Sequence, residues 1–270
     1  MQHFVEHLAV SWRQCLRGQA LLGVGIMGFV ILLTGWLFAS FSLRQPLVVG
    51  VDVSLSAMRI VGAFLVLLWI QEAFVRDVER RTVLGVFAYP VSRSVYVLGR
   101  FSGVALLVLA TVTVWGGGLL VLGTYGTWGY EAGDTPQLGW PLILALSGLA
   151  LDLLVIGAFM LLIVSLSVTR MLPLCIGICF ALAARGIGPV TDYLRFVADA
   201  DQKLKLSMLP ILDALQWFLP DLSRLDWRVA VLYGQMPELL AIFQGVAGSV
   251  GYLILTLVAA VGIYKYREFS

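Results

Sequence analysis

The most charged run between two apolar segments of this 270-residue chain is residues 76–100, RDVERRTVLGVFAYPVSRSVYVLGR. Five arginines and two acidic residues give this run of 25 a net charge of +3. Because long apolar segments precede and follow it, the run is expected to connect two membrane helices. Lys and Arg concentrate in the cytoplasmic loops of membrane proteins. The stretch therefore predicts a cytoplasmic loop, with the rest of the chain arranged around it in the membrane.

The composition of the whole chain indicates an integral membrane protein of the all-α class. Hydrophobic residues make up 60% of the sequence and charged residues only 13%, with a mean hydropathy of +0.94. A soluble surface needs about a quarter charged residues. The apolar residues form unbroken runs of about 20, the length of a membrane helix rather than of a barrel strand. The net charge of +2 gives no reason to expect nucleic acid as a partner.

Six apolar segments are predicted to span the lipid bilayer as helices of a single transmembrane domain, residues 1–270. Their bounds are about 20–41, 54–75, 101–123, 140–168, 171–190 and 239–263. Residues 1–19 place apolar side chains on one helix face, which predicts an N-terminal helix in the cytoplasmic interface. Residues 185–238 are too polar to span, and their short apolar stretches predict short re-entrant or interfacial helices at the outer face.

The positions of Lys and Arg predict the orientation of the chain. Ten of them fall on the side of residues 76–100. On the other side, the first short loop is expected to contain Arg44, Pro46 and Asp52, and the second contains Asp134 but no Lys or Arg. The long loop before the sixth span is close to neutral, with six basic and seven acidic residues. By the positive-inside rule, both termini are cytoplasmic in a multi-pass protein of a bacterial-type inner (plasma) membrane.

Three charged residues inside the apolar segments are candidates for a functional role. Asp152 lies near the middle of the fourth span, Arg59 near the outer end of the second and Glu72 near its inner end. A charged side chain in the bilayer centre costs at least about 2.5–3.5 kcal/mol unless it is paired or faces water. Asp152 is therefore either a functional carboxylate or a structural partner of Arg59. Arg59 in turn either has a function or extends to the outer headgroups.

The sequence contains none of the common catalytic or metal-binding motifs. It has no G-x-x-x-x-G-K-[ST] phosphate loop, no G-x-S-x-G and no H-E-x-x-H. The only histidines, His3 and His7, lie near the N-terminus, and no metal site is predicted from them. Gly23, Gly25 and Gly28 spell G-x-G-x-x-G, but inside an apolar helix they favour helix packing over nucleotide binding. We therefore predict no catalytic residues, no enzyme activity and no cofactor in this chain.

The order of residues in the charged stretch resembles that in permeases of the ABC-2 family of ATP-driven transporters. The resemblance rests on E-x-x-T, then L-x-x-x-x-x-P-x-S-R, then L-G-R-F. These are Glu79, Thr82, Leu84, Pro90, Ser92, Arg93, Leu98, Gly99, Arg100 and Phe101. Arg81 stands where the family usually has Gly, and Arg100 where it often has Lys. The runs A-Y-P-V-S-R at 88–93 and W-F-L-P-D-L at 217–222 resemble permeases associated with the maturation of copper enzymes.

The resemblance implies a six-span permease with a cytoplasmic coupling helix in residues 76–100. The residues it implies in contact with an ATPase are Glu79, Arg80, Arg81, Thr82, Phe87, Pro90 and Arg93. Two copies of a separate ATPase subunit would bind ATP and Mg, and a second permease chain, identical or related, would complete the transporter. The outer region leaves room for a periplasmic accessory protein. The activity implied is export driven by ATP hydrolysis in the partner subunit.

Two other functions are compatible with the same residues. One is a membrane anchor or assembly factor that transports nothing. The other is a secondary transporter that uses Asp152 and Arg59 as a charge relay. Secondary transporters usually have two similar halves or more than six spans, and this sequence has no internal repeat. The exporter is the better fit of the three.

Overall fold

The computed structural model describes residues 20–42, 44–75, 93–126, 135–167, 169, 171–196, 202–216 and 218–266. The regular structure of these residues is helical. In chain order the elements are α1 (Ala20–Phe41), α2 (Pro46–Ile70), which continues as a π-helical turn (Gln71–Val75), α3 (Arg93–Tyr125), α4 (Trp140–Leu166), α5 (Leu172–Phe196), α6 (Gln202–Leu215), a 3-10 turn (Leu222–Leu225), α7 (Arg228–Tyr233) and α8 (Leu239–Tyr266).

Six of these helices are long and apolar enough to cross a membrane, namely α1 to α5 and α8. They contain between 22 and 33 residues. At 1.5 Å per residue they are about 33–50 Å long, which exceeds the ~30 Å hydrocarbon layer of a bilayer. The prediction of a multi-pass, all-helical membrane protein is confirmed at this level.

Three predicted helix boundaries are wrong, each at a point where polar residues interrupt the apolar run. Pro46 and Asp52 belong to α2 and not to a loop, because proline in the first turn lacks only an N–H group that the helix does not use. Arg93 begins α3, so the last eight residues of the predicted coupling loop are helical. α5 continues past its predicted end near residue 190 to Phe196, with Pro189 inside the helix.

α4 is the central helix of the bundle. It packs against α2, α3, α5, α7, α8 and the 3-10 turn. In the most apolar 18-residue stretch of α4, 67% of the residues are buried, whereas the corresponding value for α8 is 17%. α1 packs on α2 and α3, and the indole Nε1 of Trp115 in α3 donates a 3.1 Å hydrogen bond to the carbonyl of Val24 in α1. Asp152 and Ser165, the buried polar residues of α4, are thus surrounded by protein.

Several predicted features lie outside the described residues. They are the N-terminal interfacial helix, with His3 and His7, and the coupling residues Glu79, Arg80, Arg81, Thr82, Phe87 and Pro90. Between α5 and α8 the described residues form α6, the 3-10 turn and α7. The last two of these elements pack against the middle of the bundle, and that packing creates the site described next.

Candidate functional site

Three aspartates and three arginines from distant parts of the chain meet in the bundle. We call this group the charge cluster; its members are Asp52, Arg59, Asp152, Arg185, Asp226 and Arg228. α2 contributes Asp52 and Arg59, α4 contributes Asp152, and α5 contributes Arg185. Asp226 lies between the 3-10 turn and α7, and Arg228 begins α7. The cluster therefore joins three long helices to the short elements that precede α8.

The long helices supply their charges from the middle of their length. Arg59 lies thirteen residues after Pro46, Asp152 twelve after Trp140 and Arg185 thirteen after Leu172. A distance of thirteen residues is about 20 Å along a helix axis. Arg59 therefore lies near the middle of α2 and not near its start, because α2 begins about two turns earlier than the sequence predicts.

Asp152 is the buried centre of the charge cluster, with a side chain that is 0% exposed. Arg185 approaches its carboxylate with two nitrogens: Nη2 lies 2.6 Å from Oδ2 and Nε 3.2 Å from it. Arg59 approaches from α2, with Nε 3.4 Å from Oδ2. These contacts place two guanidinium groups, 14% and 18% exposed, around one carboxylate. Two positive neighbours stabilise the ionised form of a carboxylate that burial alone would destabilise.

Arg59 connects Asp152 to the second half of the cluster. Its Nη1 lies 2.5 Å from Oδ2 of Asp226. The same oxygen accepts hydrogen bonds from Arg228, at 2.6 Å from Nη2 and 2.8 Å from Nε. Nη1 of Arg228 then donates back to α2, at 2.9 Å to Ser56 Oγ and 3.3 Å to Asp52 Oδ1. Because Asp52, Ser56 and Arg59 follow one another at helical steps of four and three, one face of α2 holds both Asp226 and Arg228, at the start of α7.

The charge cluster is electrically neutral and becomes more accessible from Asp152 towards Asp52. Its three positive and three negative groups cancel, and Asp52 and Arg228 are 43% and 38% exposed. Burial alone would lower the pKa of Arg228, but its hydrogen bonds to Asp226 and Asp52 and their negative charges outweigh burial, so the pKa is raised. Arg228 therefore holds its proton more firmly than a free arginine does. Arg228 is thus suited to a fixed polar connection between α7 and α2 rather than to gaining and losing a proton.

The short elements reach the cluster because two glycines leave room for them. A Cβ atom on Gly148, in α4, would lie 2.4 Å from the carbonyl oxygen of Leu225, and one on Gly188, in α5, would lie 2.2 Å from Ser223 Oγ. The 3-10 turn is also held by its own Asp221, whose Oδ1 accepts from the backbone N–H and the hydroxyl of Ser223. Leu222, Leu225 and Trp227 are buried. This packing presents Asp226 to Arg59.

The structure brings two of the three predicted intramembrane candidates together. Arg59 contacts Asp152, which is the structural pairing that the sequence suggested as an alternative. Glu72 lies in the π-helical turn, thirteen residues and about 20 Å along the helix from Arg59, and is exposed. It is not part of the charge cluster. Of the predicted coupling residues, Arg93 begins α3, and the others lie outside the described residues.

Four members of the cluster were not identified from the sequence. They are Asp52, Arg185, Asp226 and Arg228. One available signal pointed to Arg185, because a buried carboxylate needs a cation at similar depth and Arg185 lies inside the fifth apolar run. Asp52 and Arg59 also share a helix face once the helix is extended back to Pro46. No local pattern distinguishes Asp226 and Arg228 from the other charges of residues 185–238.

A second group of side chains joins three helices at one end of the bundle. Phe74 lies 6.3 Å from both Tyr96 of α3 and Tyr264 of α8, measured between ring centroids, in edge-on arrangements. All three rings are at most 2% exposed. The guanidinium of Arg100 lies 5.7 Å above the ring of Tyr96. We call Phe74, Tyr96 and Tyr264 the aromatic cluster; it joins the helix ends that flank residues 76–92.

Fold and site together define a multi-pass helical membrane protein with a neutral charge cluster in its interior. No protein-family model matches the chain, and no curated protein matches it.

Proposed function

We propose that the chain is the membrane-spanning permease subunit of an ATP-driven exporter of the ABC-2 type. Its role would be to couple ATP hydrolysis in a separate subunit to movement of a substrate across or out of the inner membrane. The observation that carries this proposal is the position of α2. The charged residues 76–92 follow directly after the π-helical turn that continues α2, and Arg59, which connects Asp152 to Asp226 in the charge cluster, lies near the middle of α2.

A displacement at residues 76–92 would reach the charge cluster through rigid elements. The aromatic cluster joins the ends of α2, α3 and α8, so a push on the connecting loop moves these helices together. Tilting α2 changes the distances from Arg59 to Asp152 and Asp226. Asp226 lies on the segment that we propose to be re-entrant from the outer face. The charge cluster would thus hold the outer segment against α2 and release it as α2 tilts.

The partner subunits follow from the same proposal. Charges at Glu79, Arg80, Arg81 and Arg93 would complement a cleft of the ATPase, Phe87 would supply buried contact, and Thr82 and Pro90 would set the turns of the loop. Two ATPase copies would hold ATP and Mg, and a second permease chain, identical or related, would pair with this one.

A periplasmic accessory protein and a copper-enzyme maturation role are consistent with the outer segment and the 217–222 run. Both termini would be cytoplasmic.

Cysteine labelling in intact cells is expected to place residue 134 outside and residue 80 inside. Residues 76–100 include five Lys or Arg residues, two of them in the first turns of α3, and the connection around Asp134 contains none, which predicts the orientation. Single cysteines are introduced at these two positions in a chain whose three natural cysteines are replaced by serine. A membrane-impermeant maleimide should modify position 134 and leave position 80 unmodified until the membrane is opened. Labelling of position 80 in intact cells contradicts the orientation.

Phe87→Asp is expected to weaken binding of the ATPase by about thirtyfold or more, the effect of losing a central interface side chain. Reversing the charges of Glu79 and Arg81 together should act in the same direction. The measurement is co-purification of the ATPase with the tagged permease, together with ATP hydrolysis in liposomes. Phe218→Asp is the matched control, because Phe218 is exposed and lies between α6 and the 3-10 turn, on the side that we propose to be outer. If Phe87→Asp and Phe218→Asp behave alike, the coupling role is wrong.

A secondary transporter is a second candidate, and the direct contact between Arg59 and Asp152 favours it. Such a protein would move substrate in liposomes without ATP and in response to an ion gradient. An exporter of the ABC-2 type would transport only with its ATPase and ATP. If no ATPase co-purifies with the unmodified chain and no gradient drives transport, a membrane anchor or assembly factor is the function that remains.

A further inference from the structure

A groove of about 450 Å³ runs between Gln216 and residues 219–224 on one side and α8, as far as Leu255, on the other. Its walls include Asp221 and Arg224 on one side and Gln244, Gly248, Gly251 and Leu255 on the other. The volume is within the range of about 300–1,000 Å³ that is typical of ligand pockets. The groove is separate from the charge cluster, and none of its wall residues belongs to that cluster.

The polarity of the groove changes along α8. Gln244 lies five residues after the start of α8, near the side chains of Asp221 and Arg224, while Leu255 lies eleven residues further along. Eleven residues correspond to about 16 Å along a helix. A ligand lying along this wall would meet charged and amide groups near the helix start and apolar groups deeper in the bundle. A membrane lipid has the same order of polar and apolar parts.

Two glycines keep the groove open. A Cβ atom added to Gly248 or Gly251 would meet no atom within 4 Å. Neither glycine is therefore needed for close packing among the described residues. Gly245, one turn earlier, differs, since a Cβ there would lie 3.3 Å from the carbonyl oxygen of Arg224. A larger side chain at residue 248 would project into the groove without displacing the backbone.

The polar end of the groove presents one positive and one negative group side by side. Arg224 is 58% exposed and uses Nε to contact Asp221 Oδ2 at 3.1 Å. Its two terminal nitrogens have no acceptor among the residues that the structure describes. Asp221 Oδ2 accepts from Arg224 alone, whereas Oδ1 accepts from Ser223. The pair can thus bind a phosphate through Arg224 and a primary ammonium through Asp221 without leaving a net charge in the groove.

We propose that this groove binds one phospholipid with a zwitterionic, amine-bearing headgroup. The phosphate accepts hydrogen bonds from the terminal nitrogens of Arg224, and the ammonium donates towards the carboxylate of Asp221. One acyl chain follows the surface of α8 past Gly248 and Gly251 to Leu255. The proposal does not depend on the export function, because it requires only that α8 lie in a lipid bilayer.

Native mass spectrometry of the full chain in a neutral detergent tests the proposal. Three phospholipids with identical acyl chains are titrated: phosphatidylethanolamine, phosphatidylcholine and phosphatidylglycerol. Phosphatidylethanolamine is expected to bind one molecule per chain and at least about tenfold more tightly than the other two, since phosphatidylcholine has no N–H donor and phosphatidylglycerol no ammonium. Arg224→Gln and Gly248→Leu should each weaken this binding by about tenfold or more. Thermal unfolding in detergent confirms that each variant is folded.

Gly262→Leu is the matched control, because Gly262 also lies on α8 with nothing within 4 Å of an added Cβ but is not part of the groove. It should leave lipid binding unchanged. Gly248→Leu keeps the test valid should Arg224→Gln unfold the chain. Equal binding of all three lipids overturns the headgroup assignment. Displacement of the lipid by millimolar inorganic phosphate indicates a simple anion site, and equal binding by Gly248→Leu and Gly262→Leu shows that the groove is not occupied; either result overturns the proposal.

Discussion

Asp152→Asn is expected to lower the free energy of unfolding by about 3–5 kcal/mol, the cost of breaking a buried ion pair by removing one partner. The side chain of Asp152 is fully buried, and its neutral amide replacement would leave Arg185 and Arg59 with one negative charge fewer between them. The amide has the same shape, so the loss comes from charge and not from a cavity. The measurement is unfolding in mixed detergent micelles with increasing SDS, followed by tryptophan fluorescence.

Two further variants separate the buried pair from general effects of charge. Asp152→Asn combined with Arg185→Gln should recover part of the lost stability, because the unpaired guanidinium is removed as well. Asp213→Asn is the control, since Asp213 pairs with Arg195 and both side chains are about half exposed. Exposed pairs contribute at most about 1 kcal/mol. If Asp152→Asn costs no more than Asp213→Asn, the charge cluster does not stabilise the fold.

Gly148→Val should destabilise the chain by about 3 kcal/mol, at the upper end of the cost of overpacking a core. The added Cβ would lie 2.4 Å from the carbonyl oxygen of Leu225 and 3.0 Å from the ring of Trp227. Because the nearer atom belongs to the backbone, the 3-10 turn has to move away from α4. Asp226, which directly follows this turn, would then move away from Arg59. The same SDS unfolding measurement reports the stability.

The control for this substitution is Gly117→Val in α3, where a Cβ would meet nothing within 4 Å. Its free energy of unfolding should change by less than about 1 kcal/mol, because a glycine inside a helix is already a poor helix former. Ser223→Cys, introduced into each of the two variants, gives a second measurement. This cysteine should react faster with a maleimide in the Gly148→Val background than in the Gly117→Val background. Equal stability and equal labelling of the two variants contradict the proposed contact between α4 and the 3-10 turn.

The long apolar helices were predictable because their signal is local. α4 and α8 begin at the predicted residues, since the backbone of an apolar run of more than 20 residues can satisfy its hydrogen bonds in a bilayer only as a helix. The predicted starts of α2 and α3 were too late, because Asp52 and Arg100 interrupt the apolar runs just before them; in the structure Asp52 pairs with Arg228, and Arg100 lies over the ring of Tyr96. A hydropathy pattern ends a helix at such residues, whereas the chain continues it wherever the polar side chain finds a partner.

The members of the charge cluster likewise differ in whether a local sequence pattern could predict them. Asp152 and Arg59 were identified from the sequence, because a charge within an apolar run is costly enough to require an explanation on its own. Arg185 was within reach of the same argument once a partner for Asp152 was sought. Asp226 and Arg228 were not, because they lie among many charges in a polar segment and nothing local marks the two that turn inward.

The sequence by itself determined that this chain is a helical membrane protein with six spans and that a carboxylate and a guanidinium lie within them. Burial of apolar surface and satisfaction of backbone hydrogen bonds depend on runs of neighbouring residues, so both can be predicted from local stretches of the sequence. Only the tertiary structure decided that residues 221–233 fold back onto α4 and α5. That contact depends on Gly148 and Gly188 leaving room, and on Arg59 lying between Asp152 and Asp226. These residues are far apart in the sequence, and their meeting follows from packing that no local pattern specifies.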